Sequence, residues 1–313
     1  MILTRLPLRS LQGIAPLTLF VTVVACQGSG GSSIGATIDI TNAIFSKRSG
    51  DCADYADNYS ALVLDIQRNL GFDASVQITN DESLCSLWSN AIPNHDFNDQ
   101  SAAFAHEVAQ QEKTFVIARN PAIAAVTTAL ALSTYNAVML NGVVVDLLAA
   151  GCYGVGDGFI GCFNLNTPWR YDPMSPNSSF GTDQHNAHTQ PDGRYHYHGD
   201  PLAMYDDNPG PNGSPVIGFA ADGFPIYGPY FYDGIEVRKA ISGYTLKLGT
   251  RPSGPGGSYD GTFIDDYEYT AAGDLDECNG MTVDGQYGYY VTAAYPWILG
   301  CFKGTPNVSF NKF

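Results

Sequence analysis

Short stretches that alternate between apolar and polar residues, separated by turn-forming sequences, recur along the chain. Residues 75–79 alternate with the period of two expected for a strand with one buried face, and the polar residues 80–82 follow as a turn. An apolar run at 114–118 predicts a further strand. Residues 138–146 form two apolar runs around Asn141-Gly142, a pair typical of two-residue hairpin turns. The pattern predicts a mainly β protein.

Two segments leave the choice of element open. The apolar spacing within residues 50–70 suits a short helix or an irregular strand. Residues 122–132 are rich in Ala and could be helical, although Val126, Thr127 and Thr128 disfavour a helix. The second half of the chain is dense in Gly, Pro, Asp and Asn, which argues against long helices there. We expect a disulfide-braced, β-rich domain with large ordered loops, and a β-rich N-terminal part packed on it.

The N-terminal segment has the features of an export signal. Residues 1–25 contain Arg5 and Arg9, no acidic residue, and an apolar run that ends immediately before Cys26. This resembles a bacterial lipoprotein signal, in which cleavage precedes a cysteine that is then lipidated. The alternative is a transmembrane anchor, for which roughly 18 apolar residues are needed and the run is shorter.

This interpretation divides the chain into four parts. Residues 1–25 are expected to be the signal peptide, and 26–49 the lipidated cysteine with a flexible Gly/Ser-rich tether. Residues 50–140 form the β-rich N-terminal part, and 141–304 the main domain. We expect an exported protein, lipid-anchored at the bacterial cell envelope on the periplasmic face or the cell surface.

Acidic residues outnumber basic ones, with 31 Asp and Glu against 15 Lys and Arg and a formal net charge of −16. Removal of residues 1–25 would remove only Arg5 and Arg9 from this balance and leave a net charge of about −18. Such a charge disfavours nucleic acid and anionic membrane surfaces as partners. Only the N-terminal lipid would then attach the protein to a membrane, and a small-molecule or protein partner stays open.

The chain has seven cysteines. If Cys26 is lipidated, six remain, and an even number in an exported protein indicates disulfide bonds. Their spacing matches no zinc-finger motif. Sequence proximity favours three bonds, each closing a Gly-rich or turn-rich loop: Cys52–Cys85, Cys152–Cys162 and Cys278–Cys301.

Part of the main domain is internally duplicated. Residues 183–198 and 276–290 share Asp, Asn, Thr, Asp-Gly and two Tyr when Pro191 is skipped. Four of the six histidines of the chain lie in the first copy. All four are replaced in the second: His185 by Cys278, His188 by Met281, His196 by Gly288 and His198 by Tyr290. We predict that the two copies share a backbone conformation and differ in the side chains that they carry.

The histidines of the first copy form a candidate metal site. His196 and His198 alternate with tyrosines, so both face the same side of a strand, and the turn at 191–193 would bring His188 back to them. Three imidazoles can hold copper or zinc and leave one position for water or substrate. His185 is the fourth candidate, ranked after these three because it aligns with Cys278, which is expected in a disulfide.

Other candidate ligands are more isolated. Met281 is a thioether ligand for Cu(I) if the two copies face each other, or it fills the core. His95, beside Asp96, is an outer ligand or a paired surface histidine, and His106 is expected to be solvated.

Several acidic residues have structural or functional interpretations. Asp222 either belongs to a tight turn that buries Phe224 and Ile226 or orients a ligand histidine. The clusters at 206–207 and 265–266 lack EF-hand spacing and are expected to be solvated. The sequence has no nucleophile elbow, Walker loop or dinucleotide fingerprint, which disfavours a nucleotide enzyme.

The tetrad Tyr195-His196-Tyr197-His198 resembles the motif that names the YHYH-domain family of secreted and lipid-anchored bacterial proteins. The resemblance covers roughly residues 140–304, including 218–228, 275–280 and 295–301. It implies an extracytoplasmic, metal-associated protein but no specific reaction. Relatives often carry a second tetrad preceded by Asn-Gly-His, for which this chain has Tyr287-Gly288-Tyr289-Tyr290 after Asn279-Gly280-Met281.

Three functions agree with these observations. The first is a lipid-anchored protein that binds copper or zinc for metal capture or surface binding. The second is a metal-dependent hydrolase, lyase or oxidoreductase that uses the same three histidines. The third is a disulfide-braced adhesion or matrix protein, whose 19 tyrosines would form contact surfaces.

Overall fold

Two large β-sheets, three two-stranded ribbons and long ordered loops build the fold. The computed structural model describes residues 36–313. The expected signal peptide, Cys26 and most of the Gly/Ser-rich segment lie outside these residues. Within the described part, no helix has the length and hydrophobicity needed to cross a bilayer. Its helices are four short 3-10 turns: Cys52–Tyr55, Leu202–Met204, Ile264–Asp266 and Val308–Phe310.

The first sheet has five strands in sequential order. They are β1 (Ile38–Asp39), β2 (Asp57–Asp65), β3 (Leu70–Asn80), β4 (Leu84–Ser89) and β5 (Lys113–Ala118). Burial alternates along β3, where Val76 and Ile78 are buried and Gln77 is exposed, as the sequence pattern predicts. The undecided segment 50–70 contains a 3-10 turn followed by β2. Segment 122–132 contains the two-residue strand β6 (Thr128–Ala129) and no helix.

The second sheet has eight strands and carries the histidine segment. Its hairpin strands are β7 (Ala137–Met139), β8 (Val144–Val145), β9 (Ala187–Thr189), β10 (Tyr195–Tyr197), β11 (Val216–Ala220), β12 (Pro225–Tyr227), β17 (Gly280–Val283) and β18 (Gln286–Tyr290). The spatial order is β17-β18-β12-β11-β7-β8-β10-β9. The β9–β10 hairpin therefore lies at one edge of the sheet and the β17–β18 hairpin at the other.

Three two-stranded ribbons complete the strand set. They pair β6 (Thr128–Ala129) with β19 (Cys301–Phe302), β13 (Tyr230–Tyr232) with β14 (Val237–Lys239), and β15 (Tyr244–Leu246) with β16 (Tyr267–Tyr269). The structure contains the three disulfide bonds expected from sequence proximity: Cys52–Cys85, Cys152–Cys162 and Cys278–Cys301. The prediction of a mainly β, disulfide-braced fold is confirmed.

The eight-stranded sheet consists of two similar halves related about its central pair, β7 and β11. Each half has two hairpins whose second strands pair in parallel, β8 with β10 and β12 with β18. At the centre, Val138 lies opposite Phe219 in the antiparallel pair. The Asn141-Gly142 turn corresponds to Asp222-Gly223 in the other half. The duplication therefore includes the inner hairpins as well as the segments recognised from sequence.

The two halves repeat the same side-chain hydrogen bonds. Tyr195 donates to Asp183 at 2.8 Å, and its counterpart Tyr287 donates to Asp276 at 3.1 Å. Both carboxylates also accept from backbone N–H groups two and four residues further on. These bonds close the loop before each outer hairpin, so the shared Asp and Tyr residues are explained by the scaffold.

The tight approach of the inner hairpin to the first sheet predicts a specific stability difference. Gly142 has φ of +82°, and a Cβ there would lie 2.1 Å from Ser89 Oγ, whereas Gly285 has φ of +80° and open space around it. Both Gly→Ala changes incur about 1–2 kcal/mol of backbone strain. Overpacking adds roughly 1–3 kcal/mol at Gly142 only. Urea unfolding should therefore show a larger loss for Gly142→Ala, and equal losses would contradict this packing.

Candidate metal centre

Three histidines converge on one face of the β9–β10 hairpin. His188 in β9 and His196 in β10 are directly opposite each other in the antiparallel register, and His198 follows β10 by one residue. His196 and His198 are 2% and 4% exposed, and His188 is half-buried. The arrangement is the one predicted from the period of two and the turn at 191–193.

The Nε2 atoms of the three imidazoles face one another. Nε2 of His198 lies 2.9 Å from Nε2 of His196 and 2.9 Å from Nε2 of His188. One ligand atom from each of the three lies within 4.8 Å of the others. Three nitrogens around a tetrahedral zinc ion are about 3.3–3.4 Å apart, given Zn–N bonds of about 2.0–2.1 Å. Small side-chain shifts would therefore accommodate an ion.

Backbone carbonyls orient two of the rings. Nδ1 of His188 donates to Gly181 O at 2.9 Å, and Nδ1 of His196 donates to Arg194 O at 3.1 Å. These bonds fix the tautomer in which Nε2 carries the lone pair. Nδ1 of His198 is buried and makes no hydrogen bond of normal geometry within the described residues. Apart from one another, the three Nε2 atoms have no hydrogen-bond partner among residues 36–313, which suits a metal ion.

Burial keeps the imidazoles neutral. Desolvation is the main cause of the pKa shifts of all three histidines. It lowers the pKa of His188, and it lowers the pKa values of His196 and His198 well below the ordinary value. Mutual repulsion among the three charged forms acts in the same direction on His196 and His198. Neutral imidazole is the form that binds metal, so the lowered pKa values favour the form in which the three histidines could hold an ion.

The candidate centre has an open side. Among residues 36–313, no carboxylate or thiolate joins the three histidines within the same distance limit. The other candidate group in the described chain is Asp51, Cys52 and Cys85, whose two cysteines form a disulfide bond. The histidines line a cleft of about 750 Å³. Such a volume is typical of small-molecule sites.

The floor of this cleft carries a buried ion pair that the sequence did not reveal. Asp146 Oδ2 accepts from Nε2 of Gln190 and from Nζ of Lys312. Asp146 Oδ1 is buried and has no hydrogen-bond partner among residues 36–313. Burial raises the pKa of Asp146, and the charge of Lys312 opposes this shift. Asp146 directly follows β8, and β8 pairs with β10, which carries His196. This position is the feature that could have pointed to Asp146.

His185 and His95 lie outside the cluster and contact each other, with ring centroids 4.0 Å apart. His95 is 3% exposed, so the expectation of a surface histidine was wrong. Its Nδ1 donates to Asp96 O, and its Nε2 accepts from Tyr197 OH at 2.7 Å. Burial is the main cause that lowers the pKa of His95 to about 3. His95 supports the back of the strand that carries His196.

His106 is exposed, as expected, and its backbone carbonyl accepts from Thr189 Oγ1 at 2.6 Å. Its side chain is at the edge of the histidine cleft.

The second copy fills the corresponding position with aromatic rings. Tyr227 stacks on Tyr290 with centroids 5.0 Å apart and an interplanar angle of 18°. A Cβ at Gly288 would lie 2.5 Å from the Tyr227 ring, so the missing side chain makes room for this stack. Met281 belongs to the opposite edge of the eight-stranded sheet from His188. The two copies do not face each other across one site, and the thioether interpretation of Met281 is wrong.

The acidic residues have structural partners. Asp222 Oδ2 accepts from Tyr289 OH at 2.6 Å and from Gly304 N at 2.9 Å, in the tight turn of the second half. Asp266 is buried and paired with Arg251 at 2.6 Å, so the expectation of a solvated residue at this position was wrong. Asp206 and Asp207 are exposed, as expected.

A family model described as YHYH protein matches residues 114–304, which is more than half of the 313 residues of the chain. The chain belongs to the YHYH protein family. The match includes every strand of the eight-stranded sheet and the three converging histidines, and it ends before Lys312. The resemblance of the tetrad is thus confirmed. No curated protein and no solved structure matches the chain.

Matched tyrosines in the two halves allow a test of support for the metal centre. Tyr197 OH bonds His95 and accepts from Asn141 Nδ2 at 3.0 Å, whereas Tyr289 OH bonds Asp222 and Lys303 N. Tyr→Phe at either position should reduce the free energy of unfolding by about 1–3 kcal/mol, because buried partners lose a hydrogen bond.

We expect only Tyr197→Phe to weaken zinc binding as well, because Tyr197 lies between two of the histidines. Chemical unfolding and zinc titration of both variants provide the measurements. Equal zinc affinities of the two variants would show that the tyrosine network does not support the site.

Proposed function

We propose that this YHYH protein is an extracytoplasmic metal-binding protein that holds one zinc or copper ion through His188, His196 and His198. The convergence of three neutral Nε2 atoms is the observation that carries the proposal. Imidazole nitrogens suit both metals, and no thiolate or thioether is needed. Metal capture or metal-dependent binding at the cell surface follows from such a site on an exported protein.

The extracytoplasmic location has two independent supports. Three disulfide bonds are typical of proteins that mature in an oxidising compartment. The lipoprotein-like segment before Cys26 supports attachment through a lipid. In this arrangement the acidic body stays in the aqueous phase, and the lipid alone contacts the membrane.

Metal analysis tests the proposal. Protein produced in an oxidising compartment should contain about one equivalent of zinc or copper after dialysis, and the double variant His196→Ala/His198→Ala should contain none, because a single remaining imidazole binds weakly. Elemental analysis gives the metal content, and circular dichroism checks the fold. The double variant His106→Ala/His185→Ala is the matched control and should retain the metal. Metal-free wild-type protein, or equal metal in all variants, would contradict the proposal.

The open side of the site favours a second function, metal-dependent hydrolysis. A metal ion at three histidines with a free position lowers the pKa of a bound water towards about 7 and supplies a nucleophile. The cleft beside the histidines has room for a substrate, and Asp146 provides a carboxylate on its floor. A site closed by a fourth protein ligand would suit storage rather than catalysis.

Ester cleavage tests this second function. Zinc-loaded protein should hydrolyse 4-nitrophenyl acetate faster than metal-free protein, and Asp146→Asn should reduce the zinc-dependent rate by about 10²-fold, as expected for loss of a positioned base. The release of nitrophenolate provides the rate. His106→Ala, at the cleft edge, should not change it. A rate for the zinc-loaded protein equal to that of zinc in buffer would leave metal binding as the function.

A further inference from the structure

The wall of the histidine cleft is apolar and unusually exposed. Phe159, Ile160, Phe163, Leu165 and Phe180 line it. Phe163 is 68% exposed and Ile160 is 53% exposed. Soluble proteins seldom gather large apolar side chains at a surface cleft unless a ligand or partner covers them. The wall therefore suits an apolar molecular body.

The disulfide Cys152–Cys162 holds this wall in place. Phe159 and Ile160 belong to the loop that this bond closes, and Phe163 follows it directly. Phe159 also packs edge-to-face against Phe180 across the cleft wall, with centroids 5.4 Å apart. A cross-linked loop loses less conformational freedom when a ligand binds, so the apolar wall is largely preformed.

Two kinds of polar group line the same cleft. The three Nε2 atoms would hold a metal ion with a free position, and Asp146 supplies a hydrogen-bond acceptor. Asp146 is 4% exposed. Its Oδ2 accepts from Gln190 and Lys312, while Oδ1 has no partner in the part of the chain that the structure describes. An unpaired buried carboxylate oxygen is costly, and a small rotation of the carboxylate towards the cleft would allow a ligand N–H or O–H group to satisfy it.

We propose that the cleft binds a small amphiphilic organic molecule with an apolar body and a compact polar head. The body lies against the wall at Phe163. In the head, one atom donates an electron pair to the metal ion, and an adjacent N–H or O–H donates to Asp146 Oδ1. The inference rests on the proposed metal site and names the ligand class of that site. The negative charge of the protein disfavours polyanionic ligands.

Hydroxamic acids of different chain length are suitable probes, because their head combines metal-binding oxygens with an N–H group. We would titrate zinc-loaded protein with octanohydroxamate and with acetohydroxamate by calorimetry. Octanohydroxamate should bind at least about tenfold more tightly, the gain from burying about two methylene groups. Elemental analysis after the titration checks that the probe has not removed the zinc.

Three variants separate the contributions of wall and floor. Phe163→Ser should remove most of the chain-length advantage without changing acetohydroxamate binding, and its exposed position makes misfolding a minor concern. Asp146→Asn should weaken both probes by about tenfold or more, because the amide N–H₂ group replaces the free acceptor. Tyr227→Phe, at the position that corresponds to Asp146 in the second half, is the control and should match wild type.

The outcomes distinguish this inference from the metal proposal. Equal affinities for the two hydroxamates in protein that retains zinc would overturn the inference and leave the metal site intact. If wild-type protein takes up no zinc, the metal proposal fails. Octanamide binding to the metal-free protein then tests whether the apolar cleft binds a ligand without the metal ion. Saturable octanamide binding that is lost in Phe163→Ser would support the cleft. No octanamide binding would overturn it.

Discussion

The register between β9 and β10 fixes the geometry on which the candidate metal centre depends. It places His188 directly opposite His196. Because successive side chains of a strand alternate between its two faces, His198 lies on the same side as His196. The intervening Tyr197 points to the other face, where it bonds His95 and Asn141. A shift of one residue would send the histidines into the hydrogen-bonded core and the tyrosines into the cleft. The scaffold and the chemistry are therefore specified by the same alternation.

The second half of the sheet shows which of these residues belong to the scaffold. The Asp–Tyr bond before the outer hairpin, the turn of the inner hairpin and the parallel pairing of the two hairpins are present in both halves. The histidines and Asp146 are present in one half only, and the other half contains the Tyr227–Tyr290 stack. The absence of imidazoles leaves no empty space in the second half, because Gly288 allows the Tyr227 ring to occupy the corresponding volume. The second half therefore has the same scaffold without histidines at these positions.

Much of this could be predicted from the sequence, because it depends on local rules. Period-two alternation and the Pro-Asp-Gly turn predict that His188, His196 and His198 converge, and proximity predicts the disulfide pairing. The polar floor depends on contacts that local patterns do not encode. Lys312 reaches Asp146 across 166 positions, and His95 reaches Tyr197 across 102. The sequence did not reveal that the two inner hairpins correspond, since their turns share only a Gly that follows Asn or Asp.

X-ray absorption spectroscopy of the zinc-loaded protein tests the three-histidine site itself, because it reports the atoms around the ion. We expect three imidazole nitrogens at about 2.0–2.1 Å and an additional oxygen from water, with no sulfur. The spectrum of the His196→Ala/His198→Ala variant incubated with zinc should lack this three-imidazole pattern. A wild-type spectrum with sulfur ligands, or with oxygen ligands and no imidazole, would show that the three histidines do not form the metal site.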